Sequence, residues 1–289
     1  MVQLGLRAHD YGKNVPPDEL AEILSKFKPD SIQLALAKAL SCAPGYGNFS
    51  PGYARKVRQT LEKRGISIAV LGCYINPVHP DSGVRENQLR FFEDHLRFAR
   101  DFGCALVGTE TGSCNADCSF HPDTEKQKTF DLFCASLERL IKTAEKCGSC
   151  VAIEAVADKN TICTIEKMEE VLRRFASPAL KVIYDPVNLI PAAGLGESQA
   201  QFFRRAFDSF GNEIAAVHAK DFRITNGIKQ GDLPAGTGDL DYPALLRIIA
   251  ERKPDIDILL ENTSPATGIK AMSFLRNAAQ KIDAPIYTP

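Results

Sequence analysis

Short apolar segments alternate with segments of helical periodicity along the whole chain. The apolar segments are rich in β-branched residues and bounded by polar or glycine-containing stretches, a pattern typical of strands buried on both faces of a parallel sheet. After each one, apolar residues recur three or four positions apart, as on one face of a helix. The predicted strands span residues 2–7, 31–36, 66–74, 105–110, 149–155, 180–185, 214–220 and 256–261.

Signals for helix ends support the intervening helices. Ser50-Pro51 is a capping residue followed by proline at the first helical position, Gly103 follows the third helix, and Asp241 is the predicted cap of another helix. The predicted helices span residues 18–27, 85–101, 124–147, 165–175, 198–210 and 242–252, with two more opening at Ser50-Pro51 and Ser264-Pro265, the last reaching about residue 281.

Eight consecutive strand–helix units favour a closed barrel. Alternating strands and helices form parallel sheets, and eight such units close on themselves. The alternative, an open doubly wound sheet, would carry a phosphate-binding glycine loop after the first strand, whereas the segment from His9 to Asn14 lacks that spacing. No linker or composition shift divides the chain. We therefore predict one α/β domain over residues 1–289, a single (β/α)8 TIM barrel.

Charge and hydropathy exclude several classes of partner. The chain has 35 basic and 36 acidic residues, a net charge of -1, so no general nucleic-acid or membrane-surface binding is expected. No apolar stretch reaches the roughly 18 residues of a transmembrane helix, and the first residues lack the pattern of a signal peptide. A cytoplasmic location is the expectation.

The nine cysteines indicate reduced thiols rather than a disulfide framework, because their number is odd. Cys147-Gly-Ser-Cys150 has redox-motif spacing but follows a helix and enters a strand, the reverse of a thioredoxin-like site. Cys114, Cys118 and His121 have zinc-like spacing but no fourth ligand of similar type nearby. Four other cysteines lie inside apolar runs and are expected to be buried: Cys73, Cys104, Cys134 and Cys163.

Strands five to eight each end on a side chain that can bind a metal: Glu154, Asp185, His218 and Glu261. The catalytic groups of a barrel lie at the C-terminal ends of its strands, so these four should converge at one opening. Crowded, partly buried carboxylates repel one another unless a cation or a proton compensates them. The sequence therefore predicts one divalent metal ion held by all four.

The nature of the ligands suggests the metal and the substrate. Three carboxylates and one imidazole form a fairly hard set, for which Mn²⁺ is the preferred ion, with Co²⁺, Mg²⁺ or Zn²⁺ as alternatives. Four protein ligands leave two positions open in octahedral coordination. A vicinal hydroxy-ketone would supply two oxygens, so the expected partner is a small sugar or polyol-derived substrate.

The segments around these residues resemble the xylose isomerase-like TIM-barrel superfamily, and within it the sugar (phosphate) isomerase and epimerase branch. The resemblance covers the whole chain. It rests on Glu154, Asp185-Pro-Val-Asn188, Val217-His-Ala-Lys-Asp221 and Leu260-Glu261-Asn262, with support from the stretches 76–81, 108–113 and 234–242.

The resemblance implies that Glu154 and Glu261 act as an acid/base pair on opposite faces of the substrate as well as binding the metal. The chemistry is consistent with this role. A glutamate removes a proton next to the carbonyl, and the metal stabilises the resulting enediolate. Return of the proton to the opposite face gives epimerisation, and return to the adjacent carbon gives isomerisation. Asp185 and His218 are assigned ligation only.

Two alternatives use the same residues. An inosose-type dehydratase would expel a β-hydroxyl from the same enediolate, and a non-catalytic metal-dependent protein would only bind a sugar. The DNA-repair endonucleases of the superfamily are disfavoured, because Asn188 stands where a second-metal histidine would be needed and the chain is nearly neutral. Ketose 3-epimerases usually have histidine at the position of Asn188, a departure that bears on the identity of the sugar.

Other polar residues near the strand ends are candidates for substrate binding. The predicted set is His79, Glu110, Asn188, Lys220 and Arg223, of which Arg223 is the nearest match to an arginine expected after the metal histidine. His9 is a further candidate for the rim, whereas His95 is expected on a helix surface. The exposed helices of such barrels often pair, so a homo-oligomer is compatible with the sequence.

Overall fold

Eight parallel strands form a closed barrel in the computed structural model, which describes residues 3–282. The described residues form ten strands, numbered here in chain order. Around the barrel, the order is first, tenth, seventh, sixth, fifth, fourth, third, second. The predicted (β/α)8 fold is confirmed. The strands are β1 (Gln3–Arg7), β2 (Ser31–Leu34), β3 (Ser67–Gly72), β4 (Leu106–Glu110), β5 (Cys150–Glu154), β6 (Leu180–Tyr184), β7 (Ile214–Ala219), β8 (Asp221–Thr225), β9 (Ile228–Leu233) and β10 (Asp257–Leu260), of which β8 and β9 form a separate antiparallel hairpin.

Helices surround the barrel, and side-chain caps fix several of their first residues. Ser50 accepts a hydrogen bond from the backbone N–H of Tyr53, and Ser198 forms a reciprocal capping box with Gln201. The helices are α1 (Pro17–Ser25), α2 (Leu36–Ala39), α3 (Pro51–Glu62), α4 (Ser82–Phe98), α5 (Gln127–Cys147), α6 (Ile165–Phe175), α7 (Pro186–Leu189), α8 (Gln199–Phe210), α9 (Tyr242–Arg252) and α10 (Gly268–Lys281).

The predicted strands and helices differ from the observed ones mainly at their ends. The last helix begins at Gly268 rather than at Ser264, because Thr267 Oγ1 accepts a hydrogen bond from Ser264 N (2.9 Å) and closes a turn first. Position 2, where the first strand was predicted to begin, lies outside the described residues. The short helices α2 and α7 were not predicted, and each follows directly from the end of a barrel strand.

The β8–β9 hairpin was also not predicted, although its turn has a recognisable sequence. Asn226 and Gly227 have φ angles of 52° and 75°, and two consecutive residues of positive φ are what a two-residue type I′ turn needs. An Asn-Gly pair between two strand-like segments is the strongest local hairpin signal. The hairpin matters because it follows β7 directly and leads the chain to the mouth of the barrel.

Close packing of small and branched residues fills the barrel interior. A Cβ added to Gly108 would lie 2.6 Å from Ile183 Cδ1 and 3.0 Å from Val70 Cγ1, so only glycine leaves room for these side chains. The interior is thus a packed core below the strand ends. Among residues 3–282, no helix combines the length and apolar character that crossing a membrane requires.

Two expectations for individual side chains have different outcomes. All nine cysteines are free, and Cys73, Cys104, Cys134 and Cys163 are buried as predicted. The expectation for His95 was wrong: it is 1% exposed and packs against Phe49 and Phe91, with ring centroids 4.8 and 4.6 Å away. It lies on the inward face of α4, where its ring is one more aromatic group in the core.

Candidate metal centre and active site

Four consecutive barrel strands bring their predicted metal-binding side chains to one point. Glu154 ends β5, Asp185 follows β6 as the N-cap of α7, His218 lies near the end of β7, and Glu261 follows β10. One ligand atom from each lies within 4.8 Å of the others, and all four side chains are buried. In the part of the chain that the structure describes, this is the one such group of His, Cys, Asp or Glu, and Cys114, Cys118 and His121 do not form a second one.

The carboxylates face the same nitrogen of the imidazole ring. His218 Nδ1 lies 3.3 Å from Glu154 Oε2, 3.5 Å from Glu261 Oε1 and 3.7 Å from Asp185 Oδ2. His218 Nδ1 and Asp185 Oδ2 are buried without a hydrogen-bond partner, and such atoms are costly unless something satisfies them. A cation between these four side chains would satisfy both atoms, so the group could hold one metal ion.

Two cations border the cluster. Lys220 Nζ lies 3.0 Å from Glu261 Oε2, as a hydrogen bond, and 2.7 Å from Asp185 Oδ2, as an ion pair without hydrogen-bond alignment. Arg7 Nη1 donates to Glu261 Oε1 at 2.9 Å. Both oxygens of Glu261 therefore contact a positive side chain. Arg7 also pairs with Asp10 (2.9 Å), so two permanent cations face four carboxylates, and negative charge is left for a further cation to neutralise.

The protonation of the cluster without a metal shows the same imbalance. Burial alone would lower the pKa of His218, but the charges of Glu261 and Glu154 raise it to about 10. Burial raises the pKa of Glu154 above its usual value. For Glu261, burial is outweighed by His218 and Lys220, and its pKa is lowered. A proton on His218 thus supplies the missing positive charge, and a metal ion would displace that proton on binding.

Hydrogen bonds orient the cluster from outside. The Asn188 side chain donates to Glu154 Oε1 (2.6 Å), and the Asn188 backbone N–H donates to Asp185 Oδ1 (2.8 Å). On the opposite side, His218 Nε2 lies 2.6 Å from Gln33 Oε1. The first turn of α7 and strand β2 therefore fix three of the four side chains in place.

A cavity of about 580 Å³ opens above the cluster, within the size range of small-molecule sites. Three of the five residues predicted to bind substrate line it: Glu110, Asn188 and Lys220. The hairpin contributes Gly231 and Asp232 to its wall. Further lining residues that the sequence did not single out include Arg7, Lys38, Tyr74, Lys159 and Asn262.

The structure does not bring His79 or Arg223 to this cavity. His79 is buried beside it, and its Nδ1 accepts a hydrogen bond from Asp81 N (3.1 Å) at the start of α4. Arg223 lies on β8 with about half of its side chain exposed and donates to Thr237 O (2.9 Å). The unpredicted hairpin explains the position of Arg223, because the side chain lies on β8 and contacts Thr237 rather than the cavity.

The sequence missed Arg7, Gln33 and Tyr74, which touch the cluster or its partners. Arg7 ends β1 and could have been found by the rule that identified the four ligand candidates, since it is also a polar strand end. Gln33 gives no such signal, because it lies inside an apolar strand. His9, expected at the rim, is buried and packs edge-on against Tyr74, with ring centroids 6.0 Å apart.

Comparisons with known proteins agree with this architecture. A family model described as xylose isomerase-like TIM barrel matches residues 3–278. A D-tagatose 3-epimerase-like protein superposes with a TM-score of 0.76 at 17% identity, covering 97% of this chain and 98% of the other. The apo form of 3-keto-D-glucoside 4-epimerase from E. coli gives a TM-score of 0.73 at 16% identity, covering 96% of this chain and 100% of the other.

A xylose isomerase-like TIM-barrel protein from Mycobacterium smegmatis, in complex with magnesium, gives a TM-score of 0.71 at 14% identity, covering 97% of each chain. At these low sequence identities, the TM-scores show a shared fold alone. No curated protein matches the sequence.

Proposed function

Since the chain belongs to the xylose isomerase-like TIM-barrel family, we propose that it is a divalent-metal-dependent epimerase or isomerase of a small ketose or related hydroxy-ketone. The observation that carries the proposal is the buried cluster of Glu154, Asp185, His218 and Glu261 at the base of a cavity of about 580 Å³. Proteins of similar fold include a D-tagatose 3-epimerase-like protein, a D-psicose 3-epimerase and an L-ribulose 3-epimerase, which supports sugar chemistry.

The four side chains would hold the ion, with Mn²⁺ preferred and Mg²⁺, Co²⁺ or Zn²⁺ as alternatives. When bound, the ion would polarise the substrate carbonyl and stabilise negative charge on its oxygens. His218 Nδ1 and Asp185 Oδ2, both buried without a hydrogen-bond partner, support this assignment. The similar protein from Mycobacterium smegmatis forms a complex with magnesium, an ion that is compatible with the same hard ligand set.

The two glutamates are proposed to move the proton. Both line the cavity, and they come from different strands, so a substrate above the cluster would meet a carboxylate from two directions. Glu154 removes or returns a proton at the carbon next to the carbonyl, and Glu261 does so from the other side. Asn188, which donates to Glu154 Oε1, would hold that carboxylate in the orientation needed for transfer.

The remaining polar residues of the cavity are proposed to hold the substrate hydroxyls. Glu110 accepts one hydrogen bond from Asn160 (3.1 Å), which leaves its other oxygen for a substrate hydroxyl. Lys220, between Asp185 and Glu261, is placed to donate to a substrate oxygen. Glu110, Asn188 and Lys220 thus remain the proposed substrate contacts, whereas the locations of His79 and Arg223 give them no support.

The test is exchange of solvent deuterium into a panel of ketoses and inososes by Mn²⁺-loaded enzyme. We expect exchange at one carbon next to the carbonyl, and a loss of about 10²–10⁴-fold for Glu154→Gln and Glu261→Gln. The control is Glu138→Gln, because Glu138 is a surface carboxylate that pairs with Lys142. Release of water would indicate the dehydratase reaction. Binding of a sugar with no exchange in any substrate would contradict catalysis.

A further inference from the structure

A series of hydrogen bonds crosses the barrel interior from the cavity to the metal cluster. Tyr74, just after β3, lines the cavity. Its hydroxyl accepts a hydrogen bond from Gln33 Nε2 at 2.9 Å, and Gln33 Oε1 lies 2.6 Å from His218 Nε2. Gln33 is 1% exposed and His218 is fully buried, so no solvent competes for these groups. Strands β2 and β7 are not neighbours, and the contact spans the barrel.

The direction of these hydrogen bonds follows from the role of His218. Its Nδ1 faces the three carboxylate oxygens, so Nδ1 is the nitrogen that would bind the ion through its lone pair. A neutral imidazole with that lone pair free carries its hydrogen on Nε2. The group opposite Nε2 must then be an acceptor, and a glutamine side chain meets this condition only when its Oε1 faces the ring.

The hydroxyl of Tyr74 is compatible with that orientation of the glutamine. Gln33 Nε2 donates to this hydroxyl, so with its oxygen toward His218 the amide has a hydrogen-bond partner at both ends. The hydroxyl of Tyr74 then accepts through one lone pair and still has its own hydrogen to donate. Within residues 3–282 no protein acceptor for that hydrogen is seen, and Tyr74 borders the cavity.

We propose that Gln33 is a positioning residue that makes His218 present Nδ1 to the divalent ion, and that Tyr74 extends the series by donating a hydrogen bond to a substrate oxygen. The inference rests on the proposed metal site. All of these hydrogen bonds then run in one direction: His218 donates to Gln33, Gln33 donates to Tyr74, and Tyr74 donates into the cavity. Substrate contact and metal-ligand orientation are thereby linked through one buried amide.

The first experiment is calorimetric titration of Mn²⁺ into three variants. Gln33→Met removes the acceptor at similar volume and should weaken Mn²⁺ binding by about 10–100-fold, the usual cost of losing the partner of a ligating histidine. Gln33→Glu keeps an acceptor and should bind at least as tightly as wild type. Leu34→Met, the adjacent position on the opposite face of β2, is the control and should leave the affinity unchanged.

A double-mutant cycle tests the role of Tyr74. Tyr74→Phe should weaken Mn²⁺ binding in the wild-type background and have no further effect beside Gln33→Met, because Tyr74 acts on the metal site through Gln33. In kinetics with the natural Gln33, Tyr74→Phe should also raise KM. Additive losses of Mn²⁺ affinity in the two single variants would overturn the link.

The second experiment reads the tautomer directly. In Zn²⁺-loaded protein labelled with ¹⁵N-histidine, the His218 signals, assigned by their loss in His218→Asn, should show a hydrogen on Nε2 and none on Nδ1. This measurement uses wild-type protein, so it tests the predicted tautomer of His218 even if Gln33→Met does not fold. Failure of wild type to bind Mn²⁺ or Zn²⁺ would refute the metal site itself. Normal Mn²⁺ binding by Gln33→Met would refute only the role of Gln33, whereas a hydrogen on Nδ1 in loaded protein would refute Nδ1 as the ligand atom of His218.

Discussion

Lys220 compensates two of the three neighbouring buried carboxylates before any metal binds. It is 5% exposed and its ammonium group lies between Asp185 and Glu261. A buried carboxylate without a cation is strongly destabilising. Arg7 gives Glu261 a second positive partner, whereas Asp185 has Lys220 alone among its permanent cations. Lys220 thus stabilises the apo protein, and its charge repels the ion that the site would bind.

These opposing effects predict an unusual response to Lys220→Met. The apo protein should lose about 3–5 kcal/mol of unfolding free energy, because two buried carboxylates lose their shared cation. Saturating Mn²⁺ should restore much of this loss, since the ion supplies the missing charge. Urea unfolding with and without Mn²⁺ measures the difference.

The matched control is Lys142→Met, which removes an exposed lysine paired with Glu138. Exposed pairs contribute little, so its unfolding curve should stay near that of wild type in both conditions. If Lys220→Met were as stable as wild type without metal, or gained no more from Mn²⁺ than wild type does, the electrostatic account of the cluster would be wrong.

The β8–β9 hairpin forms part of the cavity wall, to which it contributes Gly231 and Asp232. Lys229 of β9 anchors it: the ammonium nitrogen donates to Val187 O (2.6 Å) in α7 and to Ile190 O (2.5 Å) at the C-cap of α7. Helix α7 carries Asn188, which orients Glu154. The hairpin and the first turn after β6 are therefore held together at the edge of the site.

Replacement of Lys229 by methionine should loosen this wall while leaving the metal ligands in place. We expect KM to rise by about tenfold, from the loss of buried hydrogen bonds, and Mn²⁺ affinity to stay within about twofold. Arg223→Met on the exposed side of β8 should leave KM unchanged. An equal effect of both substitutions on KM would contradict the assignment of Lys229 as the anchor.

The burial of His95 on helix α4, far from the metal cluster, also has a testable consequence. Burial lowers the pKa of His95 to about 4, so the native protein keeps it neutral while the unfolded chain binds a proton near pH 6.5. Its contribution to stability is present above pH 6.5 and is lost as the pH falls toward 4. The loss should reach about 3 kcal/mol at pH 4.

The variant His95→Leu should remove this part of the pH dependence. Unfolding free energies measured between pH 7 and pH 4 would show a shallower decline than in wild type, whatever the change in stability at neutral pH. Identical slopes for the two proteins would show that His95 takes up a proton equally in the native and unfolded states, against the expected effect of burial.

At the scale of the whole molecule, the barrel was predictable because its signal is repeated. Each of the eight strands needs a buried apolar segment and each is followed by an amphipathic helix, so an error at one boundary does not change the fold. The four ligand candidates were found by combining strand ends with one rule about barrels. The rule uses only positions along the chain, so it predicted without coordinates that these four side chains would lie together.

What sequence reasoning missed depends on contacts between distant strands or on side-chain direction. Gln33 meets His218 across the barrel, a contact between positions 185 residues apart, and nothing local marks it. His79 was predicted from its place in a loop, yet its ring is turned toward the start of α4. The hairpin was detectable from Asn226-Gly227, and recognising it would have placed Arg223 on its exposed strand.

The central claim is that one divalent ion binds where four barrel strands end. The most direct test is an anomalous difference map from a crystal of the full chain soaked in Mn²⁺. We expect a single strong peak within coordination distance of Glu154, Asp185, His218 and Glu261. No peak at this position, or a peak bound by other side chains while these four remain paired with Arg7, Lys220 and one another, would contradict it.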